Sequence, residues 1–106
     1  MTNNDFIREF ITGSKAVGAC NHLGYNGNIL INYSTAICEI NRTEHTAVVN
    51  VRKYSATTSK IQSRLLYELE AAGFTVERVE GEPAHYWNYG YMGAPTLTVA
   101  DVRRMI

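Results

Sequence analysis

Cysteine is scarce in this chain. Cys20 and Cys38 are the only two, and two thiols do not make the disulfide framework of a small secreted domain. Both are expected as ordinary free thiols, with Cys38 a small buried hydrophobe in a strand-like run. A zinc site can be written down from Cys20, His22, His45 and His85. Structural zinc sites, however, place ligand pairs about two to four residues apart, twice, and this spacing does not, so no metal is expected. No apolar run approaches the roughly 18 to 20 residues that cross a bilayer, which excludes a spanning helix and sets the expectation of no membrane partner. The start, Met1-Thr2-Asn3-Asn4-Asp5, lacks the basic-then-apolar signature of an export signal. The expected location is therefore the cytoplasm, where the Asn-x-Ser/Thr triplets at Asn32 and Asn41 mean nothing. An excess of one charge is missing as well: ten Lys+Arg stand against ten Asp+Glu. That balance argues against a histone-like binder of nucleic acid, which works through a large basic excess.

What is present is a globular composition, 45% hydrophobic and 19% charged, which excludes a disordered or fibrous chain. The 106 residues suit one domain over 1–106, because each of two would struggle to bury a core. Phe6, Ile7, Phe10 and Ile11 recur at helical spacing after Asn4 as a cap, and Gly13 ends that helix. Residues 13–28 hold four glycines and three asparagines and read as an irregular, turn-rich connection, with room for a short helix near 15–19. Residues 29–33 and 35–40 read as one strand region, interrupted near Ser34 by a bulge or bend, and 46–52 returns as its hairpin partner. The strongest helix follows Tyr54, with Ser55, Thr57 and Thr58 as candidate caps. Ile61, Leu65, Leu69 and Ala72 form its apolar stripe, and Gly73 stops it. Residues 74–80 alternate as a half-exposed strand. Residues 81–94 form a glycine- and tyrosine-rich loop, and Thr98 with Asp101 has the spacing of a capping box opening a helix to Met105. The expected fold class is α+β: one small domain with an antiparallel sheet of about three strands packed against helices.

Two features carry chemistry. Between Glu44 and Glu68 there is no acidic residue, while Arg52, Lys53, Lys60 and Arg64 all fall inside. Within that stretch Tyr54, Ser55, Thr57, Thr58 and Ser59 line the start of the central helix, where unpaired amides and partial positive charge favour an anion. The candidate anion or nucleic-acid site is thus Arg52, Lys53, Tyr54, Ser55, Thr57, Thr58, Ser59, Lys60 and Arg64. The bland counterpart is a capped helix with surface lysines. It is not a Walker loop, whose glycines are absent. The second feature is the segment from His85 to Met92, in which Tyr86, Trp87, Tyr89, Tyr91 and Met92 make a candidate partner-binding surface, or a lid folded over a small core. No histidine sits by a nucleophile motif, and Glu68 and Glu70 point to different sides of a helix. No enzymatic activity and no cofactor are expected.

The stretch Asn32-Tyr33-Ser34-Thr35-Ala36-Ile37, followed by Lys53-Tyr54-Ser55-Ala56-Thr57-Thr58-Ser59-Lys60, resembles a family of small phage and mobile-element proteins. The resemblance covers about residues 29–66, with the Thr-Thr-Ser-Lys block as its specific part. It departs from the family pattern at Ile61, where histidine is frequent, and at Cys38, where alanine is frequent, so no role of that histidine is carried over. The family brings no established reaction. It implies a viral or plasmid origin and an accessory role in the host cytoplasm, including action against host defence of the anti-CRISPR type.

The leading expectation is a non-enzymatic accessory protein that inhibits host defence by binding a host protein through the aromatic segment. The alternative is a nucleic-acid or nucleotide binder that uses the basic, hydroxyl-rich start of the central helix. Self-association into a homo-oligomer is compatible with either.

Overall fold

Helix α1 (Asn3–Thr12) is capped by Thr2, two residues before the expected Asn4, because Thr2 and Asp5 complete a reciprocal capping box. The Thr2 side chain accepts the Asp5 amide while Asp5 answers to the Thr2 amide, and Gly13 closes the helix at φ 74°. The computed structural model describes residues 1–83 and 98–106, and it contains β1 (Val17–Cys20), β2 (Leu23–Asn26), β3 (Ile29–Asn32), β4 (Thr35–Asn41) and β5 (Thr46–Asn50). Helix α2 (Ala56–Ala71), β6 (Thr75–Val79) and α3 (Val99–Met105) complete it. The aromatic segment 85–92, and with it Tyr86, Trp87, Tyr89, Tyr91 and Met92, lies outside the described residues.

The expectation of about three antiparallel strands is overturned. The sheet has six strands in the order β1-β2-β3-β4-β5-β6, and it is mixed, since β6 runs parallel to β5 in register Thr46↔Thr75 through Asn50↔Val79. Two strands come from the segment expected to be irregular: residues 17–20 and 23–26 pair as a hairpin, Cys20 opposite Leu23, where room for a short helix was expected. A third comes from splitting the 29–40 region. Tyr33 and Ser34 form a two-residue hairpin turn, with Asn32 opposite Thr35, while the register shift falls further along, between Leu30 and Ile31. The three tight turns share one device, a first residue at positive φ: Asn21 at 55°, Gly27 at 61° and Tyr33 at 57°. Such φ values give a two-residue turn the twist of its flanking strands.

Alternation along the strands sends side chains to both faces. Leu23, Tyr25, Leu30, Ile40 and Val49 join Phe6, Ile7, Phe10, Ile61, Leu65 and Leu69 in the main core under α1 and α2. Ile29, Ile31 and Ala36 instead meet Val99 and Val102 of α3 in a second cluster. The apolar stripe of α2 is as expected at Ile61, Leu65 and Leu69. Ala72 departs from it, an exposed C-cap that lies past the last turn facing the sheet. The β5–α2–β6 unit is the crossover that a parallel pair requires, and it sets the start of α2 beside the end of β3.

Candidate functional site

The turn from β5 into α2 is held by side chains with few alternatives. Gln62, buried, donates to the carbonyls of Asn50 (2.7 Å) and Arg52 (3.0 Å). Asn50 donates through Nδ2 to the Ala36 carbonyl (3.2 Å) and the Tyr54 hydroxyl (2.9 Å), and its Oδ1 accepts the Arg52 amide (3.0 Å). The chain therefore leaves β5 in one path and delivers Ser55 to the N-cap of α2, where Ser55 Oγ accepts the Thr58 amide at 3.2 Å.

Of the nine predicted residues, Tyr54 is exposed with its hydroxyl accepting from Asn50 and Ser59 is half-buried, and the other seven separate into three groups. Ser55 and Thr58 are structural in part: Thr58 is buried, and its Oγ1 accepts from Ser55 Oγ (3.1 Å) and from Asn32 Nδ2 (2.9 Å). Arg64 is committed within α2 to Glu68 (2.8 Å), which Arg8 of α1 also grips at 3.1 Å, so Glu68 is the link between the helices and Arg64 its partner. Arg64 also lies over the Tyr67 ring, 5.2 Å from the centroid. Arg52, Lys53, Thr57 and Lys60 are exposed, and the three cations among them have no ion-pair partner among the described residues. No acidic residue lies in the first turn of α2, the position where Asp or Glu normally offsets the helix dipole. The charge at this end is uncompensated.

Two concavities flank that end. One, of about 500 Å³, is a shallow surface groove along α2 lined by Ser59, Lys60, Ser63, Arg64 and Tyr67. The other, of about 210 Å³, lies between the Tyr33–Ser34 turn and the start of α2, lined by Asn32, Tyr33, Thr35, Tyr54, Ser55 and Thr58. Tyr33 is 51% exposed and Tyr54 43%, and both line it. Tyr33 keeps its unfavourable backbone because both backbone groups are engaged, its amide to the His22 carbonyl and its carbonyl to the Val99 amide, each 2.8 Å. Its ring stacks on His22 with centroids 4.3 Å apart. A bulky residue at positive φ is held there only by surroundings that over-determine it.

Sequence reasoning missed Asn32, Tyr33, Thr35, Gln62 and Tyr67 as members of this region. One signal was available: Asn32 to Thr35 is a polar interruption between two apolar runs, and Thr58 and Gln62 are polar residues at i,i+4 on a helix that elsewhere buries leucine. The other candidate ligands are dispersed. His45 packs edge-on to Phe74, Cys38 is fully buried, and among the described residues no three His, Cys, Asp or Glu side chains gather as a metal site. No helix among the described residues is long and apolar enough to cross a membrane. Glu68 and Glu70, expected on different sides of a helix, are so placed: Glu68 is buried against two arginines, whereas Glu70 is exposed and 3.5 Å from Arg78. Comparison with protein-family models, with curated proteins and with solved structures finds no match to this chain.

Proposed function

We propose that this chain is a non-enzymatic binding protein that takes phosphate groups of a nucleic acid or nucleotide at the start of α2. The observation that carries the reading is the charge arrangement there. Arg52, Lys53 and Lys60 are exposed and unpaired among the described residues, at the end of a 16-residue helix without an acid in its first turn. Helix amides, uncompensated dipole and exposed cations all favour the same ligand, an oxyanion. The exposed ring of Tyr54, and those sides of the Tyr33 and Tyr67 rings that His22 and Arg64 leave open, add surface on which bases stack, which is how proteins hold single strands without reading their sequence. A net charge of zero is compatible with this, because the cations are local and no acidic residue falls between Glu44 and Glu68 along the chain.

The resemblance to phage and mobile-element proteins supports an accessory role in a host cytoplasm. Inhibition of host defence by docking a host protein on Tyr86, Trp87, Tyr89, Tyr91 and Met92 draws on the sequence alone. The test of the phosphate reading is the double variant Lys53→Ala, Lys60→Ala, assayed for binding to a short single-stranded oligonucleotide. Both side chains are exposed, so stability should stay within about 0.5 kcal/mol of wild type while affinity falls. Equal affinity in a variant that melts like wild type would overturn it.

A further inference from the structure

Strand β1 is one edge of the sheet, and the β1–β2 hairpin sorts its main-chain groups into two rows. Cys20 opposite Leu23 closes a two-residue turn, and the closing pair of such a turn exchanges both hydrogen bonds. Alternation then directs the groups of Ala16, Gly18 and Cys20 to β2, in keeping with the Gly27 amide on the Ala16 carbonyl at 2.7 Å. Those of Val17, Ala19 and Asn21 face outward. Arg103 Nη2 takes the Asn21 carbonyl at 2.7 Å, which ends the row. Val17 and Ala19 remain, each with an amide and a carbonyl that have no partner among the described residues. Edge strands are normally blunted by charge, proline or a bulge. The opposite edge, β6, carries exposed Glu77 and Arg78. β1 reads Val-Gly-Ala-Cys and pairs with β2 without a register shift, so it has none of these devices. A concavity of about 320 Å³ runs along it, lined in part by Met1, Phe6, Val17, Ala19 and Ile106, and Met1 and Ile106 are 73% and 72% exposed.

We infer that β1 pairs antiparallel with β1 of a second copy of this chain, in a closed two-fold dimer with Gly18 facing Gly18 on the axis. The open groups select both the occupant and the register. With Gly18 on the axis, Val17 of each copy lies opposite Ala19 of the other, and the two amides and two carbonyls of each edge are all satisfied. Sliding one way sets Val17 against Asn21, whose carbonyl Arg103 already holds; sliding the other way sets Ala19 against Lys15, outside the strand. Pairing β1 with β6 would lay an apolar edge on a charged one and leave a free edge at each end, an open chain of copies instead of a closed pair. The two-fold axis of an antiparallel strand pair is perpendicular to the sheet. The two six-stranded sheets therefore become one, with α1 and α2 of both copies on the same face.

The experiment combines sedimentation of the full chain over a concentration series with cross-linking through Cys20. Wild type should sediment at twice the monomer mass and dissociate on dilution. Val17→Pro removes an outward amide at the first residue of an edge strand, where proline is tolerated. It should melt like wild type yet sediment as a monomer at concentrations where wild type is dimeric. In the inferred register Ala16, exposed, stands opposite Cys20 of the second copy in a non-hydrogen-bonded pair, with about 4.5 Å between Cα atoms, which is within disulfide range. Ala16→Cys should therefore give a covalent dimer on mild oxidation, read on a non-reducing gel, and the double variant Ala16→Cys, Cys20→Ser should not. The cross-link decides the matter if Val17→Pro does not fold. A wild type that stays monomeric at every concentration overturns the inference, and so does a dimer in which Ala16→Cys gives no cross-link to Cys20.

Discussion

Replacing Arg42 by alanine removes a side chain that ties the last carbonyls of α1 to the turn after β4. Arg42 sits in the turn after β4, and its Nη2 donates to the Phe10 carbonyl (2.6 Å) and the Gly27 carbonyl (3.2 Å). Its Nε is shared between the carbonyls of Phe10 (3.2 Å) and Ile11 (3.3 Å), and the guanidinium lies 5.3 Å from the Phe10 ring centroid. The last carbonyls of a helix have no intrahelical donor, and α1 has no basic residue of its own in its last turn, so Arg42 supplies from a distant turn what the helix lacks. Hydrogen bonds from a charged donor contribute about 1.5–3 kcal/mol. Because Arg42 is half-buried, water recovers part of the loss, and the expected cost is about 2 kcal/mol. For a domain of this size each kcal/mol lowers Tm by about 4–8 °C, which places the drop at about 8–16 °C. Thermal melts followed by circular dichroism read it directly. Arg42→Lys, which keeps the charge but not the fork, should recover part of the loss. Gly13→Ala should be damaging through the same contact, since its Cβ would stand 2.4 Å from Arg42 Nε at φ 74°. An Arg42→Ala protein that melts within about 2 °C of wild type, well under the shift of a single kcal/mol, refutes the account of how α1 is held.

Leu65→Ala deletes a side chain of zero exposure at the centre of the main core and should cost about 2–5 kcal/mol by urea unfolding; a wild-type midpoint would show that the wrong face of α2 has been placed inward. Asp5 and Asp101 are held below the usual carboxylate range, Asp5 first by the Thr2 side chain and Asp101 first by the Thr98 backbone amide. Depressed folded values mean stability that is complete above the ordinary carboxylate pKa and lost as pH falls through the folded one, so the double variant Asp5→Asn, Asp101→Asn should show a shallower loss of Tm on acidification. Burial pushes the Cys38 thiol up, and the side chain is inaccessible. A thiol reagent should therefore modify Cys20 alone in the native protein and both cysteines in urea, and rapid native labelling of Cys38 would contradict its place in the core.

The helices were legible because each carries its own punctuation. Ser55 with Ile61, Leu65 and Leu69, and Thr98 with Asp101, are local signals that tertiary structure had no reason to override. The sheet was not legible in the same way, and its glycines explain why. Gly18 and Gly24 resemble turn formers, yet both lie within strands. A Cβ at Gly18 would stand 2.8 Å from the Tyr25 ring, and one at Gly24 would touch Val102 of α3 at 3.5 Å. Gly18 marks close approach by a cross-strand ring, which a local reading cannot see, whereas the contact at Gly24 is ordinary packing. The Tyr33–Ser34 turn lacks the Asn-Gly chemistry that announces a hairpin, so two strands merged into one. The candidate site was half visible: the cations and caps stand in one run, whereas Asn32 reaches Thr58 across 26 positions and only the folded sheet brings them together.

The claim that α2 begins in a phosphate-contact surface is tested most directly by the salt dependence of oligonucleotide binding. With Arg52, Lys53 and Lys60 as the contacts, the logarithm of the affinity should fall with the logarithm of salt concentration at a slope of about −2, and the Lys53→Ala, Lys60→Ala variant should retain a slope of about −0.7. Binding that is insensitive to salt, or a slope that the double variant leaves unchanged, would contradict the account.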